Sequence, residues 1–129
     1  MKCVAADTHA AVWLLGNDKR LTTTAVSAFD AAERILVPSI CLVEITYLVE
    51  KGRLDAAVLP RLLDEFDKPD TALELAALDL GVALSLQDIS RFDVPDLPDR
   101  VIAATALHHR VPLVTRDRKI RCARVETIW

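Results

Sequence analysis

Residues 98–117 read PDRVIAATALHHRVPLVTRD. Two elements are written into that run. Asp99–His109 carries apolar residues at helical spacing and opens on an acid, which suits the positive end of a helix. Val111–Thr115 is a short apolar strand, and Asp117 stands two residues beyond its end. Strands covered on both faces read as unbroken apolar runs, and such strands belong to parallel sheets. The stretch therefore predicts a helix–strand unit of a parallel sheet, with an acid at each junction.

The rest of the chain follows the same pattern. Lys2–Ala6 reads as a strand ending in Asp7, and Thr8–Leu15 as a helix stopped by Gly16-Asn17. Thr22–Glu33 makes a second helix, with the threonine run as its N-cap. Ile35–Pro38 is a strand, after which Ser39 is expected to cap a helix through Glu50, closed by Gly52. Asp55–Phe66 is amphipathic, with Leu59, Leu62, Leu63 and Phe66 on one stripe, and Pro60 marks a kink or a later start. Ala72–Ala77 is a strand. Leu78–Gln87 is a helix or a continuation of that strand, which periodicity does not separate. Asp88–Pro98 is a loop, Asp117–Arg121 a helical turn and Val125–Ile128 a last strand. Short strands alternating with helices imply right-handed crossovers. The expected architecture is a three-layer α/β/α sandwich with a central, mostly parallel sheet, forming a single domain over residues 1–129.

Composition agrees with this. A chain of 129 residues, 52% hydrophobic, can bury an aliphatic core and is not a disordered type. Cys3, Cys41 and Cys122 are far apart and odd in number, so they read as small core residues in a reducing compartment. The apolar start, Met1 to Asp7, is too short for a signal peptide or a membrane span, and a cytoplasmic protein is expected. The net charge of −3 and pI near 5.6 disfavour nucleic-acid binding by bulk charge. The distribution differs: Arg100, Arg110, Arg116, Arg118, Lys119, Arg121 and Arg124 cluster around a single acid, Asp117. That face could grip a phosphate backbone, or be an ordinary solvated surface.

Ligands of open parallel sheets bind beyond the carboxyl ends of the strands. Asp7, Asp99 and Asp117 fall near that edge, and Glu44 reaches it if its helix points toward the end of the first strand. Each acid has a plainer role open to it. Asp7 and Asp117 could cap the turns that follow them, and Asp96 and Asp99 fit an N-cap and third-residue pair. Glu44 could be an exposed helix residue, although Leu42, Val43, Ile45 and Leu48 around it are apolar. Taken together, four acids facing one crevice repel each other unless a cation lies between them. Oxygen-only sites suit Mg²⁺ or Mn²⁺, and such clusters hydrolyse phosphodiesters.

At this point the motifs match a family. Val4-Ala5-Ala6-Asp7-Thr8, Val37-Pro38-Ser39 leading to Glu44, Pro98 through Ala106, and Pro112 through Asp117 occur in order along nearly the whole chain. The sequence resembles PIN-domain ribonucleases, specifically the VapC-type toxins of toxin–antitoxin pairs. The resemblance implies a metal-dependent endoribonuclease with Asp7, Glu44, Asp99 and Asp117 as its acidic site. Asp7 and Asp99 would be the direct metal ligands, while Glu44 and Asp117 would hold a second ion or position water. Thr8 and Thr115 match positions whose hydroxyls support the acids. The resemblance also implies a homodimer, a cognate antitoxin partner, and tRNA or rRNA as substrate.

Asp96 is left open between metal binding and capping. His9, beside the site, reads as a bystander more readily than a ligand. His108 and His109 suit a helix end, and Trp13 and Trp129 read as core or interface residues rather than base-stacking platforms. Two other function classes compete: a non-catalytic PIN-like binding module, and a phosphatase or phosphoacceptor α/β domain. The complete acid set argues against the first. Asp7-Thr8-His9 lacks the Asp-x-Asp that the second would need.

Overall fold

The apolar runs form five strands: β1 (Cys3–Ala6), β2 (Arg34–Pro38), β3 (Leu73–Ala76), β4 (Leu113–Val114) and β5 (Thr127–Ile128). Among the described residues, six α-helices join them: α1 (Thr8–Leu15), α2 (Thr23–Ala31), α3 (Ser39–Glu50), α4 (Val58–Phe66), α5 (Leu80–Ser85) and α6 (Leu97–His109). This is a computed structural model, and the residues it describes are 2–120 and 124–129.

All four strand pairings are parallel, in the order β3-β2-β1-β4-β5. The expected α/β sandwich is the fold found, and its sheet is parallel throughout. The chain moves outward from β1 to β2 and β3, then returns to lay β4 on the other side of β1. The strand order thus reverses between β1 and β4, where open α/β sheets form their ligand crevices. Asp7 follows β1 and Asp117 follows β4, so two of the acids flank that point.

The core fits a thin-walled sheet. Ala5, Ala6, Val37, Leu113 and Val114 are buried. On α6, Ala103, Ala104 and Ala106 are buried too, small side chains that leave room for close packing. Trp13 is 4% exposed and packs against Trp129, which agrees with a core role for the pair.

Several boundaries differ from the expectation. Ser39 does not cap α3. Pro38 holds the cap position without a side-chain bond, and the Ser39 hydroxyl instead accepts from the Leu78 amide. Gly52 does follow the helix in the left-handed region, at φ 71°. α2 stops at Ala31, because the amides of Glu33 and Arg34 turn to the Lys2 carbonyl and lead into β2. α4 starts at Val58, which puts Pro60 in its first turn, where a missing amide costs nothing. Leu78–Gln87 resolves into α5, capped by Asp79, followed by a short 3-10 turn. α6 begins at Leu97, two residues earlier than expected, because Asp96 is its cap. After Asp117 the chain makes a short turn to Ile120; Arg121 and Cys122 lie outside the described residues.

Candidate active site

Four elements deliver the acids to one cleft of about 360 Å³, lined by Asp7, Thr8, His9, Glu44, Asp96, Asp99, Arg116 and Asp117. The four acids read from the sequence are all there, together with Asp96.

Asp7 does two jobs. One carboxylate oxygen caps α1 by accepting from the Ala10 amide at 2.8 Å, and the other accepts from the Thr115 hydroxyl. The same Thr115 oxygen accepts from the Asp117 amide at 3.0 Å, which ties the end of β4 to the end of β1. Asp117 in turn accepts from the Lys119 amide at 2.9 Å. Glu44 projects from the second turn of α3, and the Thr8 hydroxyl donates to it at 2.6 Å. The plain capping roles and the convergence of the acids therefore coexist.

Asp96 was undecided from sequence. It caps α6 by accepting from the Asp99 amide at 3.0 Å. It also offers an oxygen to the tightest acidic triplet, in which one oxygen each of Glu44, Asp96 and Asp99 lie within 4.8 Å of one another. Asp7 and Asp117 stand outside that triplet. The signal was present in the sequence as an acid three residues ahead of Asp99, but capping alone accounts for such spacing.

The electrostatics are those of crowded, half-buried acids. Burial raises the Asp7 pKa, against the Thr115 and Ala10 hydrogen bonds that lower it. Burial likewise raises Glu44, opposed by Thr8. Asp99 is pushed up to about 7, first by burial and then by the charges of Asp96, Asp117, Glu44 and Asp7. Ion pairs hold Asp18, Glu74, Glu65 and Asp88, none of which lines the cleft. The donors are carboxylate oxygens, the set that hard divalent cations take, so the cleft fits such an ion.

The basic residues divide. Arg100, part of the basic run, serves the fold: its guanidinium donates to the carbonyls of Leu86 and Ile89. Arg124 pairs with Asp88 at 3.9 Å. Arg116 lines the cleft, with its guanidinium carbon 4.7 Å from the centre of the Trp13 ring. Sequence gave no signal for that contact. His9 also lines the cleft, its ring centre 5.6 Å from that of Trp13.

The expected apolar stripe on α4 splits in two. Leu62 is 1% exposed and belongs to the core, whereas Leu63 is 46% exposed. Leu59 and Phe66 pack partly on the core. On α3, Val43 and Tyr47 are exposed.

Known proteins share both sequence and fold with this chain. The profile of the PIN domain matches residues 4–125. Ribonuclease VapC22 of Mycobacterium tuberculosis is 29% identical over 132 residues, covering all of both chains. Among solved structures, VapBC2 from Rickettsia felis, bound to a DNA fragment from their promoter, aligns with a TM-score of 0.68 and 16% identity over 98% of this chain and 99% of that one. A toxin–antitoxin complex from Klebsiella pneumoniae aligns with a TM-score of 0.66 and 19% identity over 98% and 96%. The two structures share its fold, and the sequence match spans all but a few residues at each end. This chain belongs to the PIN domain family.

Proposed function

We propose that the protein is a metal-dependent endoribonuclease, the toxin of a type II toxin–antitoxin pair, that hydrolyses RNA phosphodiesters in the cytoplasm. The observation that carries this reading is the cleft at the reversal of strand order, which Asp7, Glu44, Asp99 and Asp117 line together. The relative in Mycobacterium tuberculosis is a ribonuclease, and the Klebsiella pneumoniae neighbour is a toxin–antitoxin complex, which supports the same reading.

In this reading Asp7 and Asp99 hold Mg²⁺ or Mn²⁺ directly, while Glu44 and Asp117 hold a second ion or orient water. When bound, such an ion makes water more acidic and offsets the charge that develops on the phosphate. The chain's own groups prepare the site. Thr115 and Thr8 fix the carboxylates of Asp7 and Glu44 by donating to them. Asp99 would hold such an ion only as its carboxylate, and burial and the neighbouring acids push its pKa up to about 7. The substrate is RNA, with tRNA and rRNA as the candidates. A homodimer and a cognate antitoxin complete the assembly, with the antitoxin on the apolar surface of α3 and α4.

The test is cleavage of tRNA and rRNA by the purified protein with millimolar Mg²⁺ or Mn²⁺, with EDTA, and by Asp99→Asn. Cleavage by wild type with metal only, and none by the variant, is expected. Equal cleavage in EDTA, or by Asp99→Asn, would overturn the metal site. No cleavage of any RNA would favour a binding module.

A further inference from the structure

Trp13 lies on α1, the helix that Asp7 caps, and its ring is almost wholly buried. Two guanidiniums approach that ring: Arg20 at 4.9 Å and Arg116 at 4.7 Å from its centre. The two arginines differ in what else they hold. Arg20 is paired with Asp18 through two nitrogens, at 3.1 and 2.8 Å. Arg116 makes no ion pair among the described residues, although it lines a cleft that contains five carboxylates.

That combination calls for a physical cause. An exposed arginine beside half-buried acids should fold onto them, since a guanidinium and a carboxylate form a strong bidentate pair. The ring offers a competing partner, because its electron-rich face attracts a cation. Trp13 is itself held in place, with Trp129 at 6.0 Å and His9 at 5.6 Å between ring centres. A guanidinium drawn to a fixed ring is kept off the acids. Its N–H donors stay available, and they match the geometry of a phosphate.

We propose that Trp13 holds the Arg116 guanidinium at the rim of the acid cleft as the group that grips an RNA phosphate. Arg116 is then a substrate-binding residue and Trp13 a positioning residue. This deepens the ribonuclease reading and rests on it for the identity of the ligand. It also answers a difficulty of that reading: a cleft of five carboxylates repels the phosphate it must admit, and a cation held beside the acids offsets part of that repulsion. Contacts of this kind set register along the backbone and read no sequence.

The test uses fluorescein-labelled single-stranded RNA and two measurements on each protein. Cleavage with Mg²⁺ tests the ribonuclease reading. Binding by anisotropy in EDTA, over a range of salt, tests the clamp. Arg116→Ala is expected to weaken binding about tenfold and to lower the salt slope by roughly one. It should raise KM for cleavage with kcat within about twofold. Trp13→Leu should reproduce the KM rise, Trp13→Phe should restore most of it, and Trp13→Leu with Arg116→Ala should be no worse than Arg116→Ala alone. Arg20→Ala should leave KM unchanged. If Trp13→Leu does not fold, Trp13→Phe and Arg116→Ala still decide the matter. Wild-type affinity and salt slope in Arg116→Ala would overturn the clamp, as would additive losses in the double variant. Wild-type protein that binds RNA without cutting it would sink the ribonuclease reading alone, and protein that does neither would sink both.

Discussion

The Thr115 hydroxyl donates to the Asp7 carboxylate across the seam between β4 and β1, 108 positions apart in the chain. The same oxygen receives the Asp117 amide. One buried hydroxyl therefore orients two of the acids at once.

Replacing Thr115 with Val keeps the shape and removes both bonds. The Asp117 amide loses its acceptor and Asp7 loses the donor that lowers its pKa. The expected cost is about 1–3 kcal/mol, a fall of several degrees in Tm. The pH at which half-maximal cleavage is reached should also rise, because Asp7 holds its proton more tightly. A pH–rate profile with an unshifted midpoint would limit the Thr115 role to stability.

Metal-free protein should lose stability as pH rises through the neutral range. The folded pKa of Asp99 is near 7, above its ordinary 3.8, so the folded state binds the proton more tightly than the unfolded chain. Its contribution is fully present below about pH 4 and is lost as pH climbs to about 7. Asp18 acts in a separate window, since Arg20 holds it down to about 2 and its contribution disappears only in strong acid. In EDTA, the Tm difference between wild type and Asp99→Asn should therefore move in favour of the variant between about pH 4 and pH 7. Mg²⁺ should narrow that gap, because an ion that binds the folded state alone stabilises it. Parallel Tm curves for the two proteins in EDTA would refute the shift at Asp99.

Arg100→Ala should damage the fold and spare the charge dependence of RNA binding. The guanidinium carries the carbonyls of Leu86 and Ile89, so its loss leaves two acceptors to water and loosens the 3-10 turn. A loss on the order of 1–3 kcal/mol is expected, with faster amide exchange at Ile89. A salt slope reduced by about one unit would instead place Arg100 on the phosphates.

Leu62 and Leu63 are neighbours with opposite expectations. Leu62→Ala opens a cavity in the core and should cost about 2–5 kcal/mol. Leu63→Ala should change stability by less than about 0.5 kcal/mol, while weakening antitoxin binding roughly tenfold if that surface is the docking site. Calorimetric titration of each variant with the antitoxin separates the two. Full affinity in Leu63→Ala would remove α4 from the interface.

The sequence was most legible where one physical cause dominates. Ile35-Leu36-Val37 and Leu113-Val114 are apolar without break because both of their faces are covered, and both runs became parallel strands. Element starts were harder, because two causes compete there. Asp55 looked like the start of a helix but bonds the Ala57 amide in a separate turn, and α4 follows at Val58. Within the site, Asp7 and Asp117 are legible from their places after strands and Asp99 from opening a helix, Glu44 depends on the direction of α3, and capping leaves the role of Asp96 open. Arg100 shows that a member of a basic run can serve the fold, since its guanidinium donates to the carbonyls of Leu86 and Ile89. Successive helix residues point about 100° apart, so the residue after Asp99 faces the 3-10 turn. The approach of Arg116 to Trp13 joins residues more than a hundred positions apart, and no local pattern announces it.

The placement of β1 between β2 and β4 has a consequence for how the protein is made. The central strand leaves the ribosome well before its β4 neighbour and the acids Asp99 and Asp117, which emerge about a hundred residues later. Pairings of such high contact order form late, because a long loop must close first. At a synthesis rate of about 5–20 residues per second, the nascent chain spends seconds with Asp7 and Glu44 exposed but without half of the cleft. On the proposed function, an enzyme that destroys RNA is thereby inert beside the RNA machine that builds it, and its activity begins only after α6 and β4 have docked.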